Sequence, residues 1–302
     1  MKRRKFIKKS AASTALLSLS GLTISCSENK TVKITVLHTN DVHSHIDPFG
    51  PNDVKNANKG GISRRATLIQ KLRNENPNTL LLDAGDIFQG TPYFNYFGGA
   101  LEFKLMSLLN YDAATIGNHD FDNGIEGLYA QLPHAKFDFI SANYDFRNTV
   151  MNTHVKPYKV FFRGGIKIGV FGLGIELKGL VNPDAFKETK YLNPVEIAQD
   201  MSRILKLEEK CDLIICLSHL GYRYDEKPQK ISDIKLARAT ENIDLIIGGH
   251  THTFLNEPTK ETNAAGKTVL VNQVGCYGLY LGKVDFYFES ENIRVKSKVV
   301  SV

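Results

Sequence analysis

The chain has 302 residues of ordinary globular composition, 42% hydrophobic and 23% charged, enough for one large α/β domain or two small ones. The formal net charge is +6, but Lys2, Arg3, Arg4, Lys5, Lys8 and Lys9 all fall in the first 25 residues, which contain no acid. Taking these six from the 38 basic residues leaves 32, equal to the 32 acidic ones, so the body is neutral and offers no basic surface for nucleic acid.

Residues 1–25 read as an export signal, a basic patch followed by an apolar stretch from Ala11 to Ile24 that is too short and too rich in Ser and Thr to span a membrane comfortably. Lys2 to Lys8 resembles a twin-arginine signal, with Lys where Ser or Thr usually precedes the arginine pair. Thr23-Ile24-Ser25-Cys26 resembles a bacterial lipobox, which implies a lipid anchor on Cys26; cleavage nearby by an ordinary signal peptidase is the alternative. Residues 26–30 are then a polar tether and residues 31–302 the folded domain. The expected location is outside the cytoplasm, as a periplasmic or membrane-anchored lipoprotein. Cys211, Cys216 and Cys276 contain no CxxC and are expected to be small core residues rather than a disulfide framework or a thiolate metal site.

Val32 to Leu37 is a β-branched strand that runs into Asp41 and His43, two groups expected on one face of an extended segment and able to share a cation. His45 is read as a loop histidine. A Pro-, Asn- and Gly-rich loop over 46–61 precedes a helix over 62–74, whose Ile62, Ala66, Ile69 and Leu72 share a face, with Arg64, Arg65 and Arg73 expected on the solvated side. Thr79 to Leu82 is a buried strand ending in Asp83-Ala84-Gly85-Asp86. Gly85 permits a sharp turn that aims Asp86 inward as a ligand, while Asp83 is expected to support it by hydrogen bonding. The aromatics Tyr93 to Phe97 are expected to pack under their own loop.

A helix over 100–109 leads to the strand Ala113 to Ile116 and then to Gly117-Asn118-His119-Asp120-Phe121-Asp122, polar groups placed just past a strand end. Open α/β sheets hold their ligands there. A short helix over 125–131, a strand over 137–141, and a hairpin of 158–162 with 166–171 follow. Gly172-Leu173-Gly174 lacks the remainder of a dinucleotide fingerprint. A helix over 194–210, with Val195, Ile197, Met201, Ile204, Leu205 and Leu207 on its apolar face, precedes the strand 212–217 and His219. A helix over 231–239 and the strand 244–247 lead to Gly248-Gly249-His250-Thr251-His252, where the two histidines are expected to share a face. Strands over 268–274, 279–288 and 293–300 close the chain.

Five buried-strand patterns therefore end in metal-binding or polar groups: Asp41 with His43, Asp86, Asn118 with His119, His219, and His250 with His252. The donors are oxygen and imidazole nitrogen without thiolate, a set suited to Mn, Zn, Fe or Co. Apart from His119, seven metal-binding candidates remain, which exceed one ion and fit two divalent metal ions with a shared carboxylate. Paired ions of this kind serve phosphoryl transfer.

The run Ile34 to His43, the pair Gly85-Asp86, Gly117 to Asp122, and Gly249 to His252 resemble the calcineurin-like metallophosphoesterases, and within them the N-terminal catalytic domain of bacterial periplasmic 5′-nucleotidases. The resemblance covers residues 31 to about 290 and implies an α/β fold, a single-domain four-layer α/β/β/α sandwich with the site at the edge of two sheets. It implies that Asp41, His43 and His252 hold one metal, Asn118, His219 and His250 the other, and that Asp86 bridges them. It further implies His119 as the catalytic histidine, oriented by Asp122; the family more often has Glu at the position of Asp120. Relatives of this type carry a second, C-terminal domain that stacks on the base. The resemblance thus leaves two expectations here, a separately encoded C-terminal-domain partner or a less selective phosphoesterase. The activity expected is hydrolysis of nucleoside 5′-monophosphates or related phosphate mono- and diesters. A metal-binding lipoprotein without chemistry is the alternative, and the intact His119 and Asp122 argue against it.

Overall fold

The computed structural model describes residues 31–227, 229–289 and 292–302; the expected export signal over 1–25, Cys26 and the tether over 26–30 lie outside the described residues. The strands are β1 (Val32–Thr39), β2 (Thr79–Asp83), β3 (Ala113–Ala114), β4 (Asp138–Phe139), β5 (Tyr144–Asp145), β6 (Tyr158–Arg163), β7 (Ile166–Leu173), β8 (Lys190–Tyr191), β9 (Leu213–Ser218), β10 (Leu245–Gly248), β11 (Thr259–Thr262), β12 (Thr268–Asn272), β13 (Tyr280–Glu289) and β14 (Asn292–Ser301). The helices are α1 (Ile62–Glu75), α2 (Pro92–Phe97), α3 (Ala100–Leu108), α4 (Gly124–Gln131), α5 (Pro183–Phe186), α6 (Pro194–Arg203) and α7 (Asp233–Ala239).

Two six-stranded sheets form, ordered β14-β13-β1-β2-β3-β4 and β11-β12-β10-β9-β7-β6. Their centres are parallel, with Val36 beside Leu80 and Ile246 beside Cys216, and antiparallel strands close every edge except that of β4, which runs parallel to β3. Period-two alternation then decides the layers. Ile34, Val36, Leu80 and Leu82 of the first sheet meet Ile168, Val170, Leu213, Ile215, Leu217, Leu245 and Ile247 of the second. The intervening residues face the other way. Leu37 and Leu81 meet Ile69, Phe103 and Leu128 from α1, α3 and α4, while Ile214, Cys216 and Ile246 meet Ala198 and Ala237 from α6 and α7. The result is the expected α/β/β/α sandwich in one domain. Strands buried on both faces read as continuous apolar runs, which is why they were visible in the sequence.

Several local expectations are corrected. Residues 92–97 form a helix rather than a loop, with Phe94 buried against Phe88 and Tyr96 and Phe97 exposed. Arg65 is not on the solvated side of α1; it is 3% exposed, in the same stripe as Ile62 and Ile69. Leu207 is 65% exposed, because the helix passes into a wider π turn at Ile204–Glu208 and the stripe rotates outward. Cys211 and Cys216 are core residues, whereas Cys276 is only partly buried. The small pair β5–β8, the edge strand β11 and helix α5 carry too few residues to announce themselves by periodicity.

Candidate metal centre

Parallel strands share a direction, so the loops after β1, β2, β3, β9 and β10 all emerge at one edge of the sandwich. They bring the predicted residues together in two groups, Asp41 with His43 and His252, and Asp86 with His219 and His250. Within each group the donor atoms lie within 4.8 Å of one another. Asn118 joins the second group through Oδ1, 2.8 Å from His250 Nδ1. Asp86 stands between the groups, its Oδ2 3.0 Å from His219 Nε2 and 3.9 Å from His43 Nε2.

The route to this convergence differs from the one expected. Asp41, His43, Asp86, His250 and His252 all have left-handed backbone, with φ between 49° and 70°. Asp41 and His43 are therefore not alternate residues of an extended segment, and His250 and His252 diverge to different groups instead of sharing a face. Asp and His tolerate this region better than most residues, and such strained positions concentrate at functional sites. Gly85 (φ 87°) makes the turn before Asp86, and a Cβ there would come within 2.6 Å of Gly117 N.

Ring orientation is fixed from behind. His43 Nδ1 lies 3.2 Å from Phe88 O and His219 Nδ1 lies 2.7 Å from Ala84 O. An Nδ1–H donating to a carbonyl leaves Nε2 bare for a cation. His43 Nε2 and His252 Nε2 are 3.0 Å apart, two ring nitrogens turned on each other. His219 Nε2 is fully buried and makes no well-directed hydrogen bond despite its closeness to Asp86. Buried imidazoles and carboxylates converging with an orphaned nitrogen fit divalent cations better than they fit one another.

Without metal, burial lowers the pKa of His43, and burial with the nearby His219 takes His250 down to about 3. Burial also acts to lower His219, but the Asp86 carboxylate outweighs it and raises His219 to about 10. Hydrogen bonds to Asp41 and Cys276 raise His252 to about 10.

His119 stands beside the groups, its ring centroid 5.2 Å from that of His43, and its Nδ1 is 2.9 Å from Asp122 Oδ2. That bond is the largest cause raising the His119 pKa, with burial opposing it. His45 stays in its loop, its ring between Phe49 and Tyr277 at centroid distances of 5.1 and 4.2 Å. Asp83 accepts from Thr39 Oγ1 at 2.5 Å and Gly85 N at 2.9 Å, the supporting role expected of it; burial raises its pKa to about 7.

Two further residues shape the site. Asn40 Nδ2 donates to Asp41 Oδ2 at 2.6 Å and to Gly275 O at 2.7 Å, which aims the Asp41 carboxylate. Asp120, inside the conspicuous hexamer, accepts four backbone N–H bonds from the Asp86 loop and Gly117. The sequence displayed both residues but gave no sign that their partners would be backbone amides.

Residues 34–254 match the family described as calcineurin-like phosphoesterase. The chain is 35% identical over 286 residues to a snake venom 5′-nucleotidase from Crotalus adamanteus, covering 88% of this chain and 47% of that protein. Among solved structures it is similar to a 5′-nucleotidase precursor from Thermus thermophilus, with a TM-score of 0.81, 34% identity and coverage of 90% and 55%. It is also similar to the NAD nucleotidase of Haemophilus influenzae, with a TM-score of 0.77, 30% identity and coverage of 90% and 49%. The chain spans about half the length of the curated relatives it matches, 47% and 52% of the first two.

Proposed function

The chain belongs to the calcineurin-like phosphoesterases, and from that premise we propose that it is a two-metal phosphohydrolase acting on nucleoside 5′-monophosphates and related phosphate mono- and diesters. The observation that carries this reading is the pair of donor groups, Asp41–His43–His252 and Asp86–His219–His250, set side by side with Asp86 between them. Asp41, His43 and His252 would hold one cation; Asn118, His219 and His250 the other; Asp86 would touch both. The oxygen and nitrogen donors favour Mn, Zn, Fe or Co. Two such ions, when bound, supply a water of lowered pKa and positive charge for the phosphate oxygens.

The chain's own part is orientation and proton transfer. Asp122 holds His119 by Nδ1, so Nε2 is the ring nitrogen left to meet substrate. Because Asp122 raises its pKa, His119 favours the protonated form, which stabilises charge on the transferring group and gives a proton to the leaving oxygen. Metal storage alone has no use for this pair. The leader over 1–25 and the lipobox at Cys26 support the further reading that the protein is exported and lipid-anchored outside the cytoplasm.

The test is hydrolysis by purified, metal-loaded protein, read as phosphate release from AMP and an aryl phosphate and as nucleoside monophosphate formed from NAD and a cyclic nucleotide. Activity is expected on at least one, abolished in Asp86→Asn and, toward the nucleotides, strongly reduced in His119→Ala. Inactivity on every phosphoester would overturn the reading. If a separately encoded C-terminal-domain partner supplies base recognition, adding it raises kcat/KM for AMP and leaves the aryl phosphate rate unchanged.

A further inference from the structure

Behind the loop that carries Asp41 and His43 lies a cavity of about 20 Å³, bounded by Ser44, His45, Arg65, Asp83, Glu102 and Tyr111 among apolar neighbours. Its polar walls are incomplete. Arg65 is 3% exposed, and its Nε and Nη1 have no hydrogen-bond partner. Glu102 is 5% exposed; its Oε1 accepts from Ser44 Oγ, while its Oε2 has no partner. Among the described residues no carboxylate lies within ion-pair distance of Arg65, and the carboxyl of Asp83 is already engaged by Thr39 and Gly85. Arg65 and Glu102 thus line one buried space, and each keeps a buried polar atom without a partner, an arrangement proteins avoid unless something joins them.

We propose that this cavity is a binding site for one structural water molecule, which accepts from Arg65 and donates to Glu102 Oε2. The volume suits a single water, and neither a phosphate nor a larger anion fits. Two carboxyl groups on the walls, Glu102 and Asp83, disfavour a halide.

The bridge makes Arg65 and Glu102 positioning residues for the first donor group. Ser44, which Glu102 holds, directly follows His43, and Ser44 N donates to Ile87 O at 2.9 Å in the Asp86 loop. On its other side the Arg65 guanidinium abuts Gly278, where a Cβ would collide with Nη1. The adjacent Tyr277 N donates to Asp41 O at 2.7 Å. A chain of contacts thus runs from α3 through the water and α1 to the backbone of both His43 and Asp41. The positioning role rests on the two-ion reading above; the water site does not.

A high-resolution crystal structure of the chain is expected to show one ordered water between Arg65 and Glu102. A direct Arg65–Glu102 ion pair, or an empty cavity, would overturn the proposal. Thermal unfolding of the metal-free protein provides a second, independent readout. Arg65→Met and Glu102→Leu should each lower Tm by several degrees, and the double variant should lose less than the two losses added, because each single change strands the other group. Glu102→Gln, which keeps an oxygen for Ser44 Oγ and turns an NH₂ toward the water, a molecule that can accept from it as well as donate, should lose less than Glu102→Leu. Strict additivity would argue that the two side chains do not share a bridge. Calorimetric titration with Mn²⁺ then tests positioning. Arg65→Met should weaken one of the two binding steps about tenfold and leave the other unchanged. Two unchanged steps would remove the positioning role, whereas a parent protein that binds no ions would count against the two-ion reading and leave the water to be judged by the crystal and the unfolding cycle.

Discussion

The carboxylate of Asp120 holds the backbone of Asp86. Oδ2 accepts from Asp86 N at 3.1 Å and from Gly117 N at 2.8 Å, while Oδ1 accepts from Ile87 N at 2.9 Å and Phe88 N at 3.1 Å. Asp86 returns the contact, its Oδ1 accepting from His119 N at 2.8 Å. Two loops from neighbouring strands are thereby locked by two carboxylates, and only one of these carboxylates faces the metal groups. Burial and the charge of Asp86 push the Asp120 pKa up to about 7, and the N–H donors of Gly117 and Phe88 act against that rise.

Asp120→Asn tests this lock. An amide presents one oxygen and one NH₂ group, so two of the four N–H donors would face another donor inside the core. The variant is expected to lose about 3 kcal/mol in urea unfolding, the cost of stranding buried donors, and to bind metal about tenfold more weakly through a disordered Asp86 loop. An unfolding midpoint equal to that of the parent would show that the lock is dispensable.

Removal of metal should be felt in stability as well as in rate. Asp41, Asp86 and the imidazoles of His43, His219, His250 and His252 crowd together, and five of the seven candidate ligands hold left-handed backbone. A cation that binds only the folded chain adds about 2.7 kcal/mol at one hundred times its dissociation constant. Chelator-treated protein should therefore unfold at lower temperature, with Tm restored by Mn²⁺ or Zn²⁺ but not by Na⁺. Equal Tm values with and without divalent cation would deny the site its ions.

The strand ends were legible because a doubly buried parallel strand is a continuous apolar run, and each one here stops abruptly at Asp, Asn or His. Hence position alone singles out Asp41, Asp86, Asn118, His219 and His250 as candidates, and the structure gathers them at one edge of the sandwich. What the sequence concealed was conformation and partnership. The left-handed turns at His43 and His252 are permitted by the residue types but not announced by them, so alternation misplaced which histidines face together. Arg65 was concealed by its charge, although its spacing from Ile62 and Ile69 puts it in the buried stripe of α1. The exposure of Leu207 depends on a single widened turn that no periodicity over α6 reveals.

His38 offers a pH test away from the site. It is fully buried beside Asn272, 2.9 Å away, and burial lowers its pKa to about 3. The unfolded chain takes up a proton near pH 6.5 while the folded chain does not until about pH 3. Stability therefore falls as pH drops through that window, by about 1.4 kcal/mol per unit for this one group. Asp83 and Asp233, raised by burial to about 7 and about 8, act in the opposite sense, losing stability as pH rises. The difference between the parent and His38→Gln isolates the histidine. Below pH 6 that difference should move steadily in favour of the variant, and a flat difference curve would mean that His38 is protonated in the fold.

The assignment of His119 as proton donor makes a prediction that depends on the leaving group. Proton transfer to the departing oxygen matters when that oxygen is a poor leaving group, as in a ribose ester, and little when it is an acidic phenol. His119→Ala should therefore slow AMP hydrolysis by about 10²–10⁴-fold, slow a nitrophenyl phosphate much less, and leave metal content unchanged. The pH profile carries the sign. A donor must be protonated, so AMP turnover falls as pH rises through the His119 pKa, which the Asp122 hydrogen bond holds above its ordinary value. Asp122→Asn removes that support, so the alkaline limb should move to lower pH for AMP and stay in place for the aryl ester. If the limb does not move, or moves equally for both substrates, the titrating group is not His119, and Asp122 orients the ring without setting its charge.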